Sequence, residues 1–588
     1  MLWFEWSETA FAAARERKLP VLLFIRAAWC RWSREMERKV FLDPSVARLV
    51  SERFVAIRVD KDRRPDIDAR YSKGGWPTLA WLDDSGELLG ADNFLEAREL
   101  AARLELVSDT YAKNRDAIRA HLARAAAAVP PLQPAGDARA RATTLDAARS
   151  QQIVEQVERT LLETADPVHG GWGRDNKFPH PEALDFLLIR WSQTGDASML
   201  AFVRRTLRKM EEGEIHDKVD GGFYRYATQP DWSGPNHEKM LDSNAQRLEA
   251  YLEAYQALGE ESFRKTARGI LGWMHGTLLD RATRAFKGSQ DASPVYAHLP
   301  TLAARRDLGP PACDPTIFAN WNAMAVSALL KAAVVLDEPQ HREQALATLD
   351  FVIDALHDTR QGVFHYWDGT FHLPGLLTDQ AYVLRALIDA VQLAGENKYL
   401  GVARHLADLT IESLRSPGGG FYDTLHDPGA RGGLRHRQIS ILENSVIAEV
   451  LLRLSHLLRD DDYADAARAT LASFAGDYKR FGHFVAGYGR AVDLLLHEPV
   501  HVTIVGPKGS EATRALRTAA LKPYLASRIV QVVDPVEDME LLDRFCLPGP
   551  RTLFEPARAY VHRARGSYAE TSDPARLPAL LARTERSE

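Results

Sequence analysis

At 588 residues, 45% hydrophobic and 26% charged, the chain is too long for one core, and its formal net charge of −6 gives no basic field for nucleic acid. No apolar run reaches the ~18 residues of a membrane span, and three distant cysteines, Cys30, Cys313 and Cys546, argue against a secreted disulfide framework. The start, "MLWFEWSETAFAAARERK", lacks the basic and apolar blocks of a signal peptide, so the expected location is cytoplasmic.

In chain order, "PVLLFIRA" (20–27) predicts a buried strand, and Cys30 follows it at the mouth of an amphipathic helix. "LDPSVARLVSERF" opens a helix with Asp43 as N-cap and Pro44 in its first turn. "FVAIRVD" (54–60) predicts a second strand, and "GGWPTLAWLDDSGELLG" (74–90) two more around a "DDSG" turn. Strand, cysteine at a helix start, strand, then a proline entering a strand is the order of a thioredoxin-like fold. A helix N-terminus carries about half a positive charge and favours thiolate. Pro77 is expected to be the cis proline facing the sulfur. Ser33 stands where a redox dithiol needs its second cysteine, so this motif closes no internal disulfide. Mixed disulfides at Cys30, or a purely packing role, are the readings left.

"HLARAAAAVPPLQPAGDARARATT" (121–144) reads as a linker, placed at 123–144 between a domain at 1–122 and one at 145–490. Beyond it, "NAQRLEAYLEAYQALG", "WNAMAVSALLKAAVVL", "DQAYVLRALIDAVQLAG" and "NSVIAEVLLRLSHLL" carry apolar residues at helical spacing. Between such helices a phrase recurs: "GGWGRDNKFP", "GGFYRYAT", "RAFKGSQDAS", "GVFHYWDG", "GGGFYDTLHD" and, more weakly, "GHFVAGYGR". A return roughly every 50 to 80 residues, two helices per period, predicts a closed (α/α)6 toroid, with an open solenoid as the alternative. Residues 491–588, from "VHVTIVGPKG" through "RIVQVVDP" to "ARAYVHRARGSYAE", predict a small α/β segment. The fold class is therefore multidomain α/β + α.

The stretches "AAWCRWSREMERKVF", "FVAIRVDKDRRPDID", "GGWP", "GGWGRDNKFPHPEAL", "DGGFYRYATQPDWSGPNHEKMLDSNAQ", "NWNAMAVSAL" and "LTDQAYVLRALIDA" resemble the spermatogenesis-associated-protein-20-like family along nearly the whole chain. That resemblance implies a thioredoxin-like domain followed by a barrel similar to six-hairpin glycosidases and sugar 2-epimerases. It also implies a Cys-His-Trp-Cys motif where this chain reads Cys30-Arg31-Trp32-Ser33, and cysteines where it has His562 and Ser567.

Loops rimming such a barrel place aromatics beside carboxylates and amides, the mixture that covers a pyranose face and bonds its hydroxyls. Asp242, Asp291, Asp379 and Glu443 are the carboxylate candidates for glycoside hydrolysis, and His216 with His237 the pair for epimerisation. Trp172, Phe178, His180, Tyr224, Arg225, Trp232, Glu238, Trp321, Asn322, Tyr382 and Asn444 are the candidate binding residues; Lys177, Asp217, Asn244 and Gln290 share the same loops. Each alone also suits a cap or a turn. "HEPVH" (497–501) imitates a zinc motif, but Pro499 and the strand-like sequence after it deny the shared helix face that motif needs. No metal or cofactor is expected. The expected partner is a sugar-like small molecule, with a protein partner for the thioredoxin-like domain. A monothiol protein acting through Cys30 and a catalytically silent scaffold are the rival readings.

Overall fold

The structure, a computed structural model, describes residues 1–128, 145–541, 556–563 and 568–585. Most of the expected linker, from 129 to 144, and both Cys546 and Ser567 lie outside the described residues. The chain forms two compact units, Met1–Ala140 with Tyr422–Gln438, and Arg141–Phe421 with Ile439–Glu588.

In the first unit the strands β1 (Val21–Arg26), β2 (Val55–Asp60), β3 (Thr78–Leu82) and β4 (Leu88–Asp92) lie in the order β2-β1-β3-β4. β2 runs parallel to β1; β3 and β4 run antiparallel. The largely apolar runs of β1 and β3, interrupted only by Arg26 and Thr78 at their ends, follow from burial on both faces. Helices α1 (Glu8–Arg17), α2 (Arg31–Glu35), α3 (Pro44–Arg53), α4 (Pro65–Tyr71) and α5 (Ala97–Ala128) complete the unit. α3 starts as its sequence predicts: the Asp43 carboxylate accepts from the Ser45 and Val46 amides at 2.9 and 3.3 Å, with Pro44 behind it. Leu22, Phe24, Met36, Leu49 and Leu100 fill one core, and Phe11, Leu23, Ile25, Ile57 and Ile67 the other. α5 continues to Ala128, into the stretch where the linker is expected.

The segment Tyr422–Gln438 belongs to this unit although the chain around it does not. Arg70 donates to both oxygens of Asp423 at 2.7 and 3.2 Å. The Tyr71 hydroxyl donates to the Gly86 carbonyl at 2.8 Å and accepts from the Gly433 amide at 2.7 Å. Gly432 sits at φ 50°, where an added Cβ would lie 1.9 Å from the Gly86 oxygen, so only glycine fits.

The second unit is built on α6 (Ala147–Thr164), α7 (Pro181–Thr194), α8 (Ala197–Glu212), α9 (Leu241–Leu258) and α10 (Glu261–Trp273). The short α11 (Pro294–Ala297) and α12 (Leu302–Leu308) follow, then α13 (Ala319–Val335), α14 (Pro339–Leu356), α15 (Leu377–Asp389), α16 (Lys398–Leu414), α17 (Ile441–Leu458), α18 (Asp461–Phe474) and α19 (Ala486–Leu496). α7, α9, α13, α15, α17 and α19 pack side by side, and α19 returns to α7, so the ring is closed and the solenoid alternative falls. Outside them, α8, α10, α14, α16 and α18 each back the inner helix that precedes them, while α6 backs α19. The first and last helices of the barrel thus seal it.

The recurring loop phrase now has a physical cause. Asn244, Asn322 and Asn444 each occupy the fourth position of an inner helix. Their carboxamide oxygens accept from the Phe223, Phe286 and Phe421 amides at 2.7, 2.7 and 2.6 Å. Their Nδ2 groups donate back to the same residues' carbonyls. Gln380, fourth in α15, clamps Val363 in the same way. Four of the six turns are thus strand-like edges satisfied by one amide side chain, whereas in the first the Gly171 amide donates to the Thr206 hydroxyl at 2.9 Å.

The final segment folds as the sheet β5 (Val500–Val505), β6 (Arg528–Val533), β7 (Arg558–His562) and β8 (Tyr568–Thr571), with α20 (Glu511–Leu521) joining β5 to β6 and α21 (Leu577–Glu585) after β8. Its order, β6-β5-β7-β8, and its strand senses are those of β2-β1-β3-β4. Among the described residues no helix is long and apolar enough to cross a membrane.

Candidate functional site

All six inner helices begin at the end of the barrel where the long loops enter. There a cavity of about 260 Å³ opens among Glu182 and Asp185 of α7, Gln246, Glu249 and Glu253 of α9, Tyr382 and Arg385 of α15, Ser445 of α17, and Phe484, Gly487 and Arg490 at α19. A second cavity, about 200 Å³, lies toward the helix C-termini, bounded by Lys331, Asp389, Glu449 and Arg453 and by residues 524–529 of the final segment. Asp185, Glu249, Glu253, Arg385 and Arg490 wall both, and so form the partition between them.

This partition is an ion-pair network. Arg490 donates to Asp185 at 2.7 Å and also to Glu449. Arg385 donates to both Glu249 oxygens at 2.9 Å, Arg453 holds Asp389, and Lys331 holds Glu253. Five carboxylates (Asp185, Glu249, Glu253, Asp389 and Glu449) thus meet four cations (Lys331, Arg385, Arg453 and Arg490). The Asp185 and Glu253 carboxyls lie close enough to act on each other's charge. Burial and the neighbouring Asp185 push Glu253 up to about 8. Asp185 goes the other way: burial alone would raise it, but Arg490 and Lys331 hold it below the usual carboxylate range. At neutral pH the pair therefore carries one proton, on Glu253.

At the mouth, His180, at φ 45°, sets its ring 4.6 Å from that of His483 and 5.1 Å from that of Phe484. Its Nδ1 is 3.5 Å from Glu182. Burial, with His180 beside it, draws His483 down to about 4, so it is neutral. Trp172 stacks on His483 at 6.3 Å from within the core.

In the first unit, Cys30 precedes α2 and is 8% exposed, its Sγ 3.5 Å from the Trp76 carbonyl beside the cis Trp76–Pro77 bond. Ser33 is fully buried, and its hydroxyl accepts from the Ala27 amide at 3.2 Å. The position of the missing thiol therefore closes a backbone turn. The Trp29 indole donates to Asp62 at 2.7 Å, and Lys61 lies over the Trp76 ring at 4.7 Å.

Comparison with known proteins supplies the rest. Residues 1–129 match the thioredoxin DsbH model, described as a protein of unknown function, DUF255. Human spermatogenesis-associated protein 20 is 24% identical, the match covering 98% of this chain and 89% of that protein. Likeness to spermatogenesis-associated protein 20 spans nearly the whole chain. Among solved structures, a sugar epimerase from a ruminal bacterium (TM-score 0.49, 12% identity) and the cellobiose 2-epimerase of Spirochaeta thermophila (0.48, 15%) are similar to 59% and 60% of the chain, covering 98% and 100% of theirs. The chain joins a thioredoxin-like domain to an (α/α)6 barrel.

Of the sequence candidates, Tyr382 lines the cavity and His180 stands at its mouth. Glu443, in the first turn of α17, lies within electrostatic reach of Tyr382. Asp242 opens α9, and Asp291 follows a short strand at Ser289–Gln290; both are half-buried. Asp379 is sealed, accepting from His365 Nδ1 at 2.9 Å and from the Asn320 amide at 3.3 Å. His216 donates to the Glu211 carbonyl and stacks on Phe223, whereas His237 meets Tyr224 and His298, so the two histidines have separate partners. Burial lowers both.

Asn322 and Asn444 are fully buried turn clamps that no ligand reaches, and Trp232 is a core residue donating to the His169 carbonyl at 2.9 Å. Trp321 packs on Phe318, and Phe178 stacks on Tyr226 at 4.6 Å. Arg225 and Glu238 pair at 3.7 Å. Lys177 is buried and bonded to Asp166 at 2.6 Å. Of "HEPVH", His501 lies in β5 stacked on His562, not on a helix with His497. Missing from the sequence reading were Asp185, Glu249, Glu253, Arg385 and Arg490. Their available signal was charge at i, i+4 (Glu249/Glu253, Arg385/Asp389, Glu449/Arg453) inside helices that otherwise read as core.

Proposed function

We propose that the barrel binds a small carbohydrate-like molecule in the loop-end cavity and moves protons on it with Asp185 and Glu253. The observation that carries this reading is a pair of neighbouring carboxyls, Asp185 held ionised by Arg490 and Glu253 pushed up to about 8, on the wall of a cavity that also presents Tyr382 and Phe484 as ring platforms. Its volume lies below the ~300–1,000 Å³ of drug-sized sites, which suits a monosaccharide. Glycoside hydrolysis needs two carboxyls about 5 Å or more apart, straddling the bond. Two carboxyls on one wall, so coupled that one keeps its proton, suit proton transfer beside a carbonyl instead. In that chemistry ionised Asp185 takes the proton from the carbon next to the sugar carbonyl while Glu253 gives its proton to the carbonyl oxygen. Return of the first proton to the former carbonyl carbon, while the hydroxyl on the adjacent carbon gives its proton to Glu253, completes an aldose–ketose isomerisation without any cofactor.

The test is a thermal-shift panel of monosaccharides against the full chain, followed by NMR in D2O of those that bind. A ligand at 100 times its Kd adds about 2.7 kcal/mol of stability. Deuterium wash-in beside the carbonyl that survives Cys30→Ser and is lost in Glu253→Gln is the expected result. Binding without wash-in reduces the barrel to a binding module, and no binding removes the reading. Gly487→Leu serves as the cavity-filling control, since a Cβ there meets only the Ser445 Cβ at 3.8 Å.

A further inference from the structure

Resting on the reading above that the cavity is a sugar site, we infer that it takes an uncharged or amine-bearing sugar and turns away sugar acids and phosphorylated sugars. Recognition of a carboxylate or phosphate calls for a guanidinium fork or an ammonium free to meet it. Among the described residues the cavity wall has two such cations, Arg385 and Arg490, and each already donates to a carboxylate of the same wall. Arg385 gives its Nη2 to both Glu249 oxygens at 2.9 Å, and Arg490 is held between Asp185 and Glu449.

The same wall carries Glu182, Asp185, Glu249 and Glu253, so carboxyls outnumber cations even with a proton on Glu253. A ligand anion would enter a site of its own sign and would have to displace a carboxylate to find a partner. A hydroxyl or an ammonium group meets the opposite situation. It can donate to the carboxylate oxygens of the wall, while the Glu253 proton and the Gln246 amide offer donors to ring and hydroxyl oxygens. Tyr382 and Phe484 then cover apolar C–H faces without regard to charge.

The experiment measures, on the full chain at one ionic strength, the melting temperature against mannose, glucosamine, glucuronate and glucose 6-phosphate. Shifts with mannose or glucosamine, at least tenfold lower in half-saturating concentration than with either anion, are expected. Glu249→Gln, which keeps the side-chain shape but releases Arg385, should gain at least a tenfold response to glucuronate. A wild-type response to glucuronate or glucose 6-phosphate as strong as to mannose, abolished by Gly487→Leu, overturns the inference while leaving the sugar-site reading in place. Silence of the wild type toward all four compounds removes the sugar-site reading and the inference with it. Should Glu249→Gln fail to fold, the wild-type panel decides alone.

Discussion

Two clusters of buried charge occupy the same barrel, and they differ in one respect that separates scaffold from site. In the loops before α9 and α13, Asp217 accepts from Lys239 at 2.5 Å and from Arg305 at 2.8 Å, and Arg305 also reaches Asp220 at 2.7 Å. Two carboxylates face two cations, and Asp217, Lys239 and Arg305 are each no more than 3% exposed. Burial alone would raise Asp217, but Lys239 and Arg305 hold it well below the ordinary carboxylate range. The cluster on the barrel axis has one carboxylate too many, holds a proton to compensate, and opens onto a cavity. Balanced and sealed charge ties loops together. Unbalanced charge beside a cavity raises a carboxyl toward its protonated form, which is what the proposed proton transfer requires.

The comparison is broken most directly by Asp217→Asn. Removing the carboxylate leaves Lys239 and most of Arg305 buried without compensation, so a loss of about 3–5 kcal/mol is expected from urea unfolding. The effect should also show in pH dependence. Asp217 has a folded pKa below its unfolded one, so its contribution is present above the unfolded value of 3.8 and is lost as pH falls through the folded one. A loss under 1 kcal/mol would mean that the sealed cluster holds no loop in place.

Glu253 carries the opposite sign. Its pKa rises from 4.5 unfolded to about 8 folded, so between those values the unfolded chain has released a proton that the folded chain retains. Stability therefore falls as pH rises through this window, by up to about 1.4 kcal/mol per pH unit. Glu253→Gln, which imitates the protonated form, should flatten that slope in melting temperatures recorded from pH 5 to 9. An unchanged slope would place the axial proton elsewhere. A neutral control comes next: Asn322→Ala leaves the Phe286 amide and carbonyl without their partner and should cost roughly 1–3 kcal/mol with no pH dependence at all.

Much of this architecture was open to reading in the sequence because its signals are local. The order of strands, Cys30 and Pro77 announces the first domain, and the glycine-aromatic phrase counts the hairpins. That phrase also drew Asn322 and Asn444 into the list of binding residues, because a polar side chain beside an aromatic looks the same in a sequence whether it bonds a sugar or a turn. The axial cluster was hidden for the converse reason. Glu249 with Glu253, and Arg385 with Asp389, have the i, i+4 spacing of a solvated helix face, and only closure of α19 onto α7 turns that face inward. The repeat of the β2-β1-β3-β4 order in the final sheet was equally out of reach, since apolar runs predict strands but not which strands pair.

The smallest effect tests whether balance or depth makes the loop cluster structural. Asp220 is its outer carboxylate, half-buried, and shares Arg305 with Asp217. In Asp220→Asn the carboxamide oxygen still accepts from Arg305, and Arg305 keeps Asp217 and the Ala297 carbonyl, at 2.9 Å, as acceptors. Only one unit of charge is lost, at a position water can screen, so a cost of about 1 kcal/mol or less is expected in the same urea titration. If Asp220→Asn instead costs as much as Asp217→Asn, the cluster depends on its charge count as a whole. The contrast with the axis would then rest on exposure to the cavity, because both clusters would be tuned by their totals and only one has somewhere for a ligand to enter.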